Sequence, residues 1–155
     1  MTLVRVNQFC TVWSREVLVW RLVRVISFNI VNMDYKDLLA YKKSFALAML
    51  IFDMSKVFPK EEKYSLTDQI RRSSRSVTVT ITESYRKRVY PKNFLSKLTD
   101  AEAENSETQV WLDFSLACGY LEEIKYNELT ALNTEVGKLI YYMMNNPEKF
   151  GSSKI

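Results

Sequence analysis

Residues 67–88 read TDQIRRSSRSVTVTITESYRKR, and this stretch decides the fold class. Its alternating Val and Thr residues resemble a β-strand at first sight. At about 100° per residue, however, Ile70, Val77 and Ile81 fall within one narrow arc, which is the pattern of an amphipathic helix. Ser74 lies beside that arc, and a small side chain there allows a second helix to approach closely. We therefore predict that the stretch is one helix of an all-helical protein.

The sequence around this helix contains three further helical segments, at 34–58, 91–118 and 126–144. Pro59 ends the first, because the residue before a proline avoids the helical region. Pro91 is a favourable first helical position, and Gly119 is a typical stop after a helix. Since the connections are short, successive helices are expected to run antiparallel. The sequence predicts an all-α, up-down-up-down four-helix bundle over residues 33–150, followed by a tail at 151–155.

The first helix has apolar residues on almost two of its faces. Two sets of residues recur at helical spacing and form its main predicted face: Leu38, Phe45, Met49 and Phe52, and beside them Leu39, Ala46 and Leu50. Further apolar residues lie off this main face: Tyr41, Leu47 and Met54. A bundle helix needs only one apolar stripe, so the excess predicts an interface and the chain is expected to self-associate.

Individual side chains in the other helices also have predicted roles. Thr67 is a candidate N-cap of the second helix, and Ser65 and Asp68 have the spacing of a capping box. Asn105 falls within the apolar stripe of the third helix and needs a buried hydrogen-bond partner. Gly137 costs the fourth helix about 1 kcal/mol relative to Ala, so close packing against another helix is the expected reason for it.

The composition argues against an enzyme. The 155 residues include no histidine, which removes the usual near-neutral general base and every His-containing metal site. Cys10 and Cys118 are isolated, which fits a reducing cytoplasm, and Cys118 is expected to be a small core residue. The three glycines are too scattered for a phosphate-binding loop. We predict no catalytic residue, cofactor, metal site or small-molecule substrate.

Residues 1–32 differ in composition from the rest of the chain. They are rich in Val, Ile, Phe and Trp and contain no Lys. Arg21 and Arg24 interrupt their apolar stretch, so neither a membrane span nor a signal peptide is expected. Three interpretations stay open: translated upstream sequence before a natural start at Met33, a mobile or partly helical arm, or a membrane-surface anchor. The four-helix pattern is complete without this segment.

Two charged stripes on the predicted bundle are the candidate functional sites. The candidate nucleic-acid-binding residues lie on the second helix and are Arg71, Arg72, Arg75, Arg86, Lys87 and Arg88. Small polar residues between them leave room for a phosphate backbone. The candidate residues for pairing between helices or subunits lie on the third helix and are Asp100, Glu104, Glu107 and Trp111. Nucleic-acid binding and charge pairing both remain open. Glu102, Glu104 and Glu107 do not predict a metal site, because the chain has no histidine and no second carboxylate helix.

Five segments of the chain, in order, resemble one known family. They are FPKEEKYSLTDQIRRSSRSV (58–77), ESYRKR (83–88), KLTDAEAENSETQVWLDF (97–114), CGYL (118–121) and NNPEKF (145–150). Together they resemble the four-helix-bundle proteins encoded within 23S ribosomal RNA intervening sequences, and the likeness covers nearly all of residues 33–150. That family is in turn similar to the accessory proteins of diversity-generating retroelements.

The resemblance implies an assembly and a class of partner. It implies a homopentameric barrel of bundles and, in the retroelement branch, a basic surface that engages a reverse transcriptase and nucleic acid. That surface corresponds here only to the six basic residues named above. Thr80 stands where the family usually has Asn, and Val89 where a basic residue is frequent. We expect a non-enzymatic oligomer that binds RNA or a ribonucleoprotein partner; the alternative is a structural or protein-interaction homo-oligomer.

Overall fold

The computed structural model describes residues 34–154, and within them it contains four α-helices and no β-strand. The α-helices are α1 (Leu39–Met54), α2 (Leu66–Arg86), α3 (Pro91–Ala117) and α4 (Glu123–Asn145). Short 3-10 helices lie at Tyr35–Asp37, Ser55–Val57, Lys60–Tyr64 and Pro147–Phe150. Each α-helix packs against its neighbours in sequence, and α1 also packs against α4, which closes the bundle. The predicted four-helix bundle is confirmed, whereas the predictions for residues 1–32 lie outside the described residues.

Small hydroxyl side chains let the helices approach closely in the core. The fully buried apolar residues include Ile51, Ile70, Ile81, Leu98, Leu112, Leu129 and Ile140. Between α1 and α2, the Thr78 hydroxyl donates to Ser44 Oγ at 3.0 Å. Between α2 and α3, the Thr108 hydroxyl donates to Ser73 Oγ at 3.0 Å. These pairs satisfy polar groups that would otherwise be buried without a partner.

The predicted helix at 34–58 is wrong in its bounds. Asp34 instead caps the 3-10 turn that follows it, and Asp37 accepts a hydrogen bond from the Asp34 N–H at 3.1 Å. Leu38 then adopts an extended conformation, so α1 starts only at Leu39. By contrast, α2 and α3 begin and end within two residues of the predicted positions, and α4 begins three residues early. Gly119 follows α3 with a φ of 72°, as its predicted role as a stop requires.

The predicted core face of α1 is also partly wrong. Leu47 and Ala48 are buried, together with Ile51 on the same face. Phe45 and Met49 are 50 % and 43 % exposed. The apolar residues extend around most of the helix, so periodicity alone could not show which stripe faces the bundle.

Two local predictions near the helix ends are wrong as well. Thr67 is buried and does not cap α2. Glu62 takes that role, because its carboxylate accepts hydrogen bonds from the Ser65 hydroxyl and from the Leu66 N–H. These two bonds hold the pKa of the Glu62 carboxyl below its ordinary value. Cys118 is exposed, because it lies at the C-cap of α3, beyond the stripe that faces the core.

The predictions for Asn105 and Gly137 are confirmed. The Asn105 side-chain amide donates to the Asn133 carbonyl at 3.2 Å. In return the Asn133 side-chain amide donates to the Asn105 carbonyl at 3.1 Å. A Cβ at Gly137 would lie 3.1 Å from Asn105 Nδ2, so glycine lets α3 and α4 approach at this point.

Candidate nucleic-acid interface

The second helix, α2, positions four of the six candidate basic residues, because its core side is occupied by Ile70, Val77 and Ile81. Lys87 at the C-cap and Arg88 after it follow directly. The exposed members of the set are Arg72, Arg75, Arg86 and Lys87, and Arg71 and Arg88 are partly buried. At about 1.5 Å per residue, Arg75 and Arg86 lie roughly 16 Å apart along the helix axis. The positive charge therefore forms two groups, one in the N-terminal half of α2 and one at its C-terminal end.

At the N-terminal end of α2, two guanidinium groups share one aromatic ring. Arg71 and Arg75 lie with their Cζ atoms 5.0 and 5.5 Å from the centroid of the Phe52 ring. The Arg71 Nε–H also donates to Ser55 Oγ at 2.7 Å. Cation–π contacts of this kind orient a guanidinium group without neutralising its charge. These two charges are held in place and remain available to an anion.

At the C-terminal end of α2, Arg86 and Arg88 are also held by aromatic residues. Arg86 lies 5.1 Å from the centroid of the Tyr35 ring, and its Nη2 is 3.8 Å from Asp34 Oδ1. Arg88 donates to the carbonyl of Tyr85 at 2.9 Å and lies 4.2 Å from its ring. Burial raises the pKa of the Tyr85 hydroxyl. Because the Arg86–Asp34 pair is long and exposed, it compensates little of the charge.

The acidic stripe of α3 has other partners in the structure. Lys97 contacts Asp100 at 3.2 Å and Glu83 at 3.3 Å, and these hydrogen bonds raise the pKa of the Lys97 ammonium group. The Trp111 indole N–H donates to Glu107 at 3.0 Å. Within residues 34–154 no ion pair joins the α2 stripe of Arg71, Arg75 and Arg86 to Asp100, Glu104 or Glu107. Pairing between subunits remains a prediction.

An apolar groove that the sequence did not predict lies beside the basic residues of α2. It lies between α1 and α2 and has a volume of about 500 Å³. Phe45, Met49 and Val79 line it, and they are 50 %, 43 % and 56 % exposed. The sequence pattern assigned Phe45 and Met49 to the core, which is why the groove was missed. A groove of this kind fits apolar side chains of a partner.

A metal site and a membrane-spanning helix are both absent from the part of the chain that the structure describes. No group of three or more His, Cys, Asp or Glu residues there could hold a metal ion. None of its helices is long and apolar enough to span a membrane.

A family model described as 23S rRNA-intervening sequence protein matches residues 36–142. The chain belongs to this family. It is also similar to a crystal structure from the S23 ribosomal protein family of Bacteroides thetaiotaomicron, whose function is described as unknown. The TM-score is 0.63 at 27 % identity, and the match covers 69 % of this chain and 96 % of that one. No curated protein matches the chain. The resemblance seen in the sequence is confirmed, and neither description of these 23S rRNA-intervening sequence relatives names an activity.

Proposed function

We propose that this protein is a non-enzymatic homo-oligomer that binds RNA, or a ribonucleoprotein partner, through the basic face of α2. The proposal places it in the cytoplasm. The family resemblance supports a cyclic assembly, with five copies as the expected number.

The uncompensated charge on α2 is the observation that carries the proposal. Of the six basic residues, Arg86 alone forms an ion pair within residues 34–154, at 3.8 Å and between exposed side chains. Arg71, Arg75 and Arg88 contact rings, a hydroxyl and a carbonyl, none of which neutralises a positive charge. A row of exposed cations on one helix face is the usual means of binding a phosphate backbone.

The apolar groove between α1 and α2 supports the self-association in this proposal. It also favours a second candidate function, a protein-interaction homo-oligomer that does not bind nucleic acid. In that case Arg71, Arg75 and Arg86 would serve contacts between subunits. Arg75 lines the groove, and Arg86 lies over the ring of Tyr35, which also lines it.

Replacing Arg71, Arg75 and Arg86 together by Gln tests the proposal. RNA affinity should fall while the oligomer mass from light scattering stays the same. Each lost phosphate contact should also flatten the slope of log affinity against log salt by roughly 0.7 to 0.9. The matched control replaces three exposed lysines on other elements by Gln: Lys60, Lys63 and Lys138. It removes the same charge and should affect binding less.

Two results would count against RNA binding by α2. One is a stable triple variant with full RNA affinity. The other is a variant whose oligomer dissociates while the wild-type protein shows no RNA binding, which would favour the second candidate function. Crosslinking in cells followed by sequencing of bound RNA would then identify the RNA or show that there is none.

A further inference from the structure

Two adjoining clefts lie at the end of the bundle where α2 leads into α3. One has a volume of about 340 Å³, and its apolar lining includes Leu95, Met144 and Pro147. The other has a volume of about 470 Å³ and is lined by Tyr90, Pro91, Lys92, Asn93 and Lys154. Pro91 and Lys154 line both, so the two clefts adjoin.

Tyr90 presents an aromatic ring at the edge of these clefts. Its side chain is 64 % exposed and forms no hydrogen bond within residues 34–154. The backbone beneath it is fixed, because the Tyr90 N–H donates to the Lys87 carbonyl at 2.8 Å and its carbonyl accepts from Phe94 at 2.9 Å. An exposed ring on an ordered turn can stack on a flat partner at a small cost in conformational entropy.

The charge around this ring is positive and unpaired. Lys87, Lys92 and Lys154 are exposed, and none of them forms an ion pair within the described residues. Lys87 lies at the C-cap of α2, and one hydrogen-bonded turn joins it to Tyr90. Basic residues therefore continue along the chain from the C-terminal end of α2 into the turn before α3.

We propose that this end of the bundle binds single-stranded RNA, with one base stacked on Tyr90 and the adjacent phosphates held by Lys87, Lys92 and Lys154. The inference rests on the proposed RNA binding and specifies the kind of RNA and a further set of residues. An exposed aromatic ring among cations is the arrangement by which proteins bind single strands. A duplex offers no free base face to the ring, because its bases are stacked on one another. The amide of Asn93, which lines the same cleft, supplies a group for the base edge.

Two substitutions of Tyr90 in the full chain test the proposal. The probes are a fluorescently labelled oligouridine strand and an RNA duplex of the same length, and the measurement is fluorescence anisotropy. Tyr90→Leu removes the ring and should weaken binding of the single strand roughly 5- to 100-fold, the range of one lost stacking contact. Tyr90→Phe keeps the ring and should bind like the wild type.

Tyr64 provides a matched control on a different element. Tyr64 is 84 % exposed, and the Lys63 ammonium lies 5.0 Å from the centroid of its ring. It therefore has the same features as Tyr90, an exposed ring beside a cation, at a different place on the molecule. Tyr64→Leu should leave the affinity for the single strand unchanged. Thermal midpoints equal to that of the wild type would show that the substitutions do not act through the fold.

The outcomes separate this proposal from the proposed function. If Tyr90→Leu binds the single strand as tightly as the wild type while the triple Arg→Gln variant of α2 does not, the cleft is not the site and the proposed function stands. If the wild type binds the duplex at least as tightly as the single strand, the assignment of single-stranded RNA is overturned. If the wild type binds neither probe, both proposals fall.

Discussion

At the scale of single residues, Asn105 and Asn133 join α3 to α4 with two reciprocal hydrogen bonds. Each side-chain amide donates to the backbone carbonyl of the other residue. The Asn133 amide also donates to Gln109 Oε1 at 3.2 Å, which extends the network toward solvent. Both asparagines are buried. The loss of one side chain therefore leaves polar groups without hydrogen-bond partners in the protein interior, which lowers the free energy of unfolding.

Replacing Asn133 by Ala should lower the free energy of unfolding by about 1–3 kcal/mol, because the Asn105 carbonyl and Gln109 Oε1 both lose the donor that the Asn133 side chain supplies. Asn127→Ala is the control, since Asn127 is exposed on the same helix. That change should have an effect of less than about 0.5 kcal/mol. Chemical denaturation at one protein concentration measures both, and equal effects of the two substitutions would contradict the role given to the network.

The burial of Asn105 could be predicted from the sequence, but its partner could not. Periodicity places Asn105 within the apolar stripe of α3, and burial then requires a hydrogen-bond partner. Which residue of α4 supplies it depends on the register between two helices, and no local pattern encodes that register. The cap of α2 shows the same limit, because Glu62 reaches it from a preceding 3-10 helix and not from the positions that a capping box uses.

At the scale of elements, α1 has one face in the core and another in the groove. Leu47 is 1 % exposed, whereas Phe45 on the neighbouring face is 50 % exposed. The groove face includes Met49 and lies beside Val79 of α2. Exposed apolar surface of this kind is typical of interfaces, and the self-association that we propose would cover it.

A pair of alanine substitutions in α1 should separate folding from assembly. Leu47→Ala should lower the free energy of unfolding by about 2–5 kcal/mol, because it leaves a cavity in the core. Phe45→Ala should retain the helical content of the wild type but lower the mass measured by light scattering at micromolar concentration. A wild-type protein that is monomeric under those conditions would show that the groove is not an interface between copies.

The helices themselves were largely predictable, but the exposed surface of α1 was not. Proline, glycine and the apolar arc of α2 set the limits of three helices within a few residues. In α1, apolar residues occur almost all round, so the sequence did not distinguish the core face from the groove face. The position of the basic residues on the exposed side of α2 could be predicted from its single apolar arc. The contacts of Arg71 and Arg86 with aromatic rings could not, because the rings belong to other elements of the fold.

At the scale of the whole molecule, the distribution of charge matters more than its total. The formal net charge is only +4, from 22 basic and 18 acidic residues. The outer face of α2 is basic, while α3 carries Asp100, Glu104 and Glu107. A single chain does not pair these two stripes in the part that the structure describes. Either an RNA backbone or the acidic stripe of another copy could neutralise α2, and these two arrangements respond differently to loss of the acids.

Replacing Asp100 by Asn and Glu104 and Glu107 by Gln distinguishes the two arrangements. The Gln at 107 keeps an oxygen that can accept from the Trp111 indole, so the local packing of α3 should be retained. If α2 binds RNA, the loss of three nearby negative charges should strengthen RNA binding or leave it unchanged, because those charges repel phosphate. If the acids instead pair with α2 of another copy, the oligomer should loosen.

Combining the acid substitutions with the triple Arg→Gln change should then restore part of the assembly, since neither stripe is left with unpaired charges. Light scattering and RNA affinity, measured on the same samples, distinguish the two arrangements, and an acid variant whose oligomer is unchanged would count against pairing between subunits.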